Sequence, residues 1–130
     1  MATLNNTFRT EILKEMMGLS VSSTIYLDLQ TSGGNILATF SQDMSAPGVF
    51  SNGVMTFQTP KEVTAFATGT ASKARLRYVS GGVDVEVITN MTVGTSSSFE
   101  IQMADTSITS GQPVQLTSFS ITAPADVTVG

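Results

Sequence analysis

The sequence predicts a mainly β protein: an antiparallel β-sandwich, or a partly closed barrel, of about seven or eight short strands preceded by one amphipathic α-helix. Three observations carry this. Beyond residue 21, apolar and polar residues alternate in short runs that end in clusters of Gly, Pro, Asn and Ser, spaced about eight to twelve residues apart. Residues 70–89, TASKARLRYVSGGVDVEVIT, show that alternation on two arms joined by Gly81-Gly82. Apolar residues at helical spacing occur instead near the start, at Phe8, Ile12, Leu13, Met16 and Met17.

In the helical segment, Asn5, Asn6 and Thr7 offer caps, and Gly18 is placed to stop the helix in a left-handed conformation. Arg9, Glu11, Lys14 and Glu15 occupy the remaining face. About three turns is marginal for a helix standing alone, so its apolar stripe has to dock. The stripe either closes an open end of the sheet core or sits in a groove of another subunit.

Ile25, Leu27 and Leu29 then alternate with Thr24, Tyr26 and Asp28 in a strand, and Thr31-Ser32-Gly33-Gly34-Asn35 turns the chain into a second strand over residues 36–41. Residues 42–52 carry Pro47 and Gly48 and read as a loop. A third strand covers residues 53–59 and stops at Pro60; Lys61 and Glu62 form a charged bend before a short strand over residues 63–68.

The hairpin over residues 70–89 comes next. Two glycines supply the positive φ angles of a two-residue turn whose twist suits the flanking strands. With Ser80 opposite Val83, Leu76 and Tyr78 share one face with Val85 and Val87, while Arg75 and Arg77 share the other with Asp84 and Glu86. After it come a small-polar stretch over residues 91–98, a strand through Phe99, Ile101 and Met103, a bend at Asp105, and a turn at Ser110-Gly111-Gln112-Pro113. In the last strand, residues 114–123, Val114 and Leu116 are on even positions but Phe119 and Ile121 on odd ones. The inward face changes phase near Thr117 and Ser118, as at a bulge where one strand serves two sheets. Pro124 ends it. The domain reading is therefore a helix over residues 1–18, a β-sandwich over 19–124 and a flexible tail over 125–130.

A chain of 130 residues makes one domain and removes roughly two-thirds of its unfolded surface on folding. Six Lys and Arg against ten Asp and Glu give a net charge of −4, which argues against a counterion-release grip on nucleic acid. The charged share of 12% is about half the usual, so the surface is built from small polar and apolar groups, as in a protein that lives against a partner. Cysteine and histidine are both absent, which removes disulfides, thiolate metal sites and every imidazole-based mechanism. No secretory signal or membrane span is expected.

No catalytic, cofactor-binding or metal site is expected. Asp28, Asp43, Glu62, Glu100, Asp105 and Asp126 stand singly and read as solvated surface acids, with no spacing that selects a catalytic pair. Gly33-Gly34 and Gly81-Gly82 introduce no helix, so they are turn glycines and not phosphate cradles. Asp84 and Glu86 oppose the basic stripe of Lys73, Arg75 and Arg77 and neutralise most of it. Seven methionines suggest adaptable packing surfaces, with core filler the plain alternative.

The succession LNNTFRTEILKEM, IYLD, ILATFS, GVMT, ATGTASKARLR, TVGTSSSFEI and TSITSGQPVQLTSFSITAP resembles a family of small virion proteins of tailed bacteriophages, along nearly the whole chain. The resemblance implies a non-enzymatic structural protein of the particle, foremost a capsid decoration or cement protein. Such a protein would be made in the bacterial cytoplasm and bind the major capsid protein or other virion subunits as a homo-oligomer, with a trimer favoured. A tail, neck or baseplate component is the alternative. A carbohydrate- or receptor-binding module is a second, though with no Trp, two Tyr and seven Phe the chain is poorly supplied with aromatic platforms. The expected contact residues are Phe8, Ile12 and Met16 on the helix, Pro47, Val49 and Phe50 in the loop, Arg75 and Arg77 on the hairpin, and Pro124.

Overall fold

Alternation becomes architecture in a computed structural model that describes every residue except 1, 4, 17, 19–22, 97, 123–125 and 128–130. In chain order the elements are β1 (Ala2–Thr3), α1 (Asn6–Met16), β2 (Thr24–Gln30), β3 (Ile36–Asp43), β4 (Phe50–Ser51), β5 (Val54–Thr56), β6 (Lys61–Thr64) and β7 (Gly69–Thr70). They continue with β8 (Lys73–Ser80), β9 (Val83–Gly94), β10 (Ile101–Met103), β11 (Ser107–Ile108), β12 (Pro113–Ser118), β13 (Ser120–Thr122) and β14 (Asp126–Val127). Seven strands form the main sheet in the order β3-β2-β8-β9-β10-β12-β6. Its two ends nearly meet, because the Phe66 N–H just after β6 donates to the Leu37 carbonyl of β3 at 3.0 Å. The sheet is thus an almost closed barrel, and three smaller sheets (β13-β5-β4, β11-β7 and β1-β14) complete the fold.

The inward positions follow from the pleat. Ile25, Leu27 and Leu29 of β2, Ala38 and Phe40 of β3, and Ala74 and Leu76 of β8 are all fully buried. Met44, Met55, Met91 and Met103 join this core, so these four methionines are filler. Gln42 is an inward polar residue made tolerable by pairing: its amide donates to Asp43 O at 3.0 Å and Gln58 Oε1 at 3.1 Å, while its oxygen accepts from Gln58 N at 2.8 Å.

The β8–β9 hairpin has the predicted turn, with Gly81 and Gly82 at φ +58° and +81° and Ser80 opposite Val83. It departs from prediction farther in. The register slips twice, so that Leu76 faces Ile88 and Ala74 faces Met91, and β9 runs on through Met91 to Gly94 where a small-polar stretch was expected. Asn90, at φ +57°, lies at the second irregularity.

Two other expectations are corrected. The sheet is mixed, because β10 pairs parallel with β9 through Ile101–Val93 and Gln102–Gly94. The connection is far shorter than an ordinary crossover. It closes because Gly94 has no side chain: the Phe99 ring lies where a Cβ would stand, 2.1 Å from that position. Glu100 pins the return, its carboxylate accepting from Thr92 N at 3.0 Å. Lys61 and Glu62, expected to bend, instead start β6 opposite Leu116 and Gln115. Their side chains alternate in step with the strand, which a local charge pattern does not exclude.

The phase change in the last strand is as predicted. Before Phe119 the chain is β12, paired with β10 and β6; after it the chain is β13, paired with β5 in another sheet. Phe119 is buried at the corner, its carbonyl accepting from Phe57 N at 3.1 Å and its ring meeting that of Phe57 edge-on at 5.1 Å. The part of the expected tail that is described, Asp126–Val127, pairs antiparallel with Ala2–Thr3.

Candidate functional site

α1 is capped by Asn5, whose side-chain oxygen accepts from Thr7 N at 2.8 Å, and is followed by Gly18 at φ +76°, its N–H donating to Glu15 O at 3.1 Å. Of the predicted stripe, Leu13 alone among its described residues is buried against the protein. Thr10 Oγ1 accepts from Gly53 N at 2.9 Å, in the turn between β4 and β5. That turn is Asn52-Gly53 with both φ positive (51° and 80°), the pairing that tight hairpins prefer. Its glycine lets the helix come close: a Cβ on Gly53 would lie 2.7 Å from the Arg9 Cβ.

Phe8, Ile12 and Met16 are consequently left on the outside, 66%, 44% and 40% exposed. Spaced by four residues, they form one line along the helix. The charges around that line are sorted. Arg9 leans on Gly53, and the Lys14 ammonium sits 5.7 Å from the Phe50 ring centroid and 3.8 Å from the Glu11 carboxylate. Glu11 and Glu15 are exposed. Taking about 100° per residue, they lie on the open flank of the stripe, with Leu13 and the protein body on the other.

The remaining expected contact residues are divided. Pro47 is exposed, Phe50 half-buried, and both line a shallow cleft of about 390 Å³ with Lys14, so the structure brings this loop beside α1. Val49 points into the core and is 1% exposed, which takes its side chain away from any surface. Pro124 lies outside the described residues. On the far side of Lys14 a second open cleft of about 410 Å³, lined by Thr7, Thr10, Glu11, Ser51 and Asn52, separates helix from hairpin.

Arg75 and Arg77 occupy the outer face of β8, as predicted, and face Asp84 and Glu86 at 3.0 to 3.9 Å. Their dominant partner was not foreseen. Asp28 of β2, expected to be a solvated acid, is fully buried beneath them, with Arg75 Nε and Arg77 Nε each 2.7 Å from Oδ2. Thr39 donates to Oδ1 at 2.7 Å, and the Arg77 guanidinium lies 4.7 Å from the Tyr26 ring centroid. Burial alone would raise the Asp28 carboxyl; hydrogen bonds from Arg77, Thr39 and Arg75 and the Arg77 charge outweigh it and hold the group below its ordinary 3.8. The sequence signal was present but incomplete, since Asp28 meets Arg75 only once β2 is known to pair with β8, 47 residues on.

Both oxygens of Asp28 are thus engaged in a structural clamp. Among the described residues no three His, Cys, Asp or Glu side chains gather where they could hold a metal ion, and no helix is long and apolar enough to cross a membrane. The feature that asks for a partner is the exposed helix face with its neighbouring loop. Comparison of the chain with protein-family models, curated proteins and solved structures finds no match in any of the three.

Proposed function

We propose that this chain is a non-enzymatic structural subunit of a tailed-bacteriophage particle, and within that class a decoration or cement protein that binds the assembled shell. The sequence resemblance supplies the class. The observation that carries the binding role is the line of Phe8, Ile12 and Met16, held outside an already filled core on a helix clamped to the β4–β5 turn. Exposed apolar residues in a contiguous line mark an interaction surface. A nearly closed β body with an outboard helix suits joining larger neighbours, and a ligand of the assembled state stabilises that state by mass action.

Magnitude favours many weak contacts over one strong one. Covering what these three side chains still expose contributes roughly 3 kcal/mol, less than the about 4 kcal/mol of a millimolar complex. The helix face therefore works alongside other contacts, such as the Pro47–Phe50 loop, or through several copies bound at once. A symmetric oligomer on a symmetric shell provides that multivalency.

Shells prepared without this chain test the reading. They should lose their contents at lower temperature than complete shells and regain the difference when the purified protein is added back. Unchanged shell stability on both removal and addition contradicts a cement role.

A further inference from the structure

We infer that the Phe8–Ile12–Met16 face of α1 docks into a groove of a different protein chain, one with an apolar floor and a rim of Lys or Arg, and not against a second copy of this chain. The inference deepens the proposed function and rests on it. It follows from how the helix distributes its charges. Both basic residues of α1 are turned to its own hairpin, Arg9 against Gly53 and Lys14 over Phe50. The acids Glu11 and Glu15 are exposed beside the apolar line, Glu11 tied among the described residues by a long 3.8 Å pair to Lys14.

A two-fold antiparallel pairing of two such helices brings like flanks together. It would set Glu11 and Glu15 of one copy beside the same two acids of the other, between chains that each already carry a net charge of −4. Like charges facing one another across an interface select against that partner. A groove with cations on the rim meets the same surface with complementary sign. The apolar line anchors, and the two glutamates fix which side of the groove the helix lies on.

The test uses whole particles of the phage that encodes the chain, made with three versions of it: wild type, Phe8→Ser/Ile12→Ser, and Glu11→Lys/Glu15→Lys. All four positions are exposed, and a thermal melt of each purified protein checks that the fold is retained. Occupancy per particle should fall at least tenfold for both double variants, and wild-type occupancy should fall with rising salt. A carbodiimide cross-link in wild-type particles from the helix glutamates to a lysine of another virion chain supports the inference. Wild-type occupancy retained by either double variant, or a cross-link joining the helices of two copies, overturns the inference and leaves the proposed function standing. Wild-type protein missing from the particles removes both.

Discussion

At the scale of single residues, Asp28 is where the charge of this protein is concentrated to structural effect. A carboxylate beneath two guanidiniums, with a hydroxyl on its other oxygen, is costly to desolvate and more costly to break. Asp28→Asn should lower the unfolding free energy by about 3 kcal/mol, read as a shift in the urea midpoint. Its pH dependence has a definite sign. The folded carboxyl titrates below the ordinary 3.8, so its contribution is complete above that pH and is lost as pH falls through the lower folded value. Denaturation midpoints of wild type and Asp28→Asn should converge in acid below pH 4; a constant gap would contradict the clamp. The alternation of Asp28 with Leu27 and Leu29 placed it on the outer face, but nothing local revealed that two arginines and Thr39 would bury it there. Sequence patterns report sides of a strand, whereas burial on the outer side depends on partners far along the chain.

At the scale of elements, turns and phase changes were legible because they are local. Gly81-Gly82 and the switch at Phe119 each express a backbone requirement within a few residues. The Asn52-Gly53 turn carries an equally strong signal, yet the sequence reading divides it between a loop ending at Asn52 and a strand beginning at Gly53, because its strands, β4 and β5, are only two and three residues long. That division matters, since the turn decides which way α1 faces: with Thr10 and Leu13 inward, the more apolar line of Phe8, Ile12 and Met16 is left outward. Gly53→Ala puts an L side chain at φ +80° and against Arg9, costing about 1–2 kcal/mol. Amide exchange in α1 should accelerate about tenfold or more while β8 and β9 stay protected. Equal acceleration everywhere would show that helix and barrel unfold as one. Phe119→Ala, which empties the corner between two sheets, should cost about 3 kcal/mol and unfold the whole cooperatively in a calorimetric scan.

At the scale of the whole molecule, the fold class was readable and the topology was not. Short alternating runs predicted a sandwich or partly closed barrel, and the nearly closed seven-stranded sheet answers to it. The order of strands, the short parallel return at β10 and the pairing of β2 with β8 depend on contacts that no local pattern encodes. The same division holds for the surface. Sequence singled out Phe8, Ile12 and Met16, while the structure alone shows that their own protein leaves them 40% to 66% exposed. Replacing Phe8 and Ile12 by Ser should change folded stability by no more than about 0.5 kcal/mol, whereas residues serving a core would cost several times that. The central claim, that the molecule works as a bound component of a larger symmetric assembly, is met most directly by counting copies of the chain in purified phage particles by quantitative mass spectrometry. The account predicts on the order of hundreds per particle, as a shell-wide symmetric lattice requires. A handful would place it in the tail or neck and contradict the decoration reading, and none at all would contradict the claim itself.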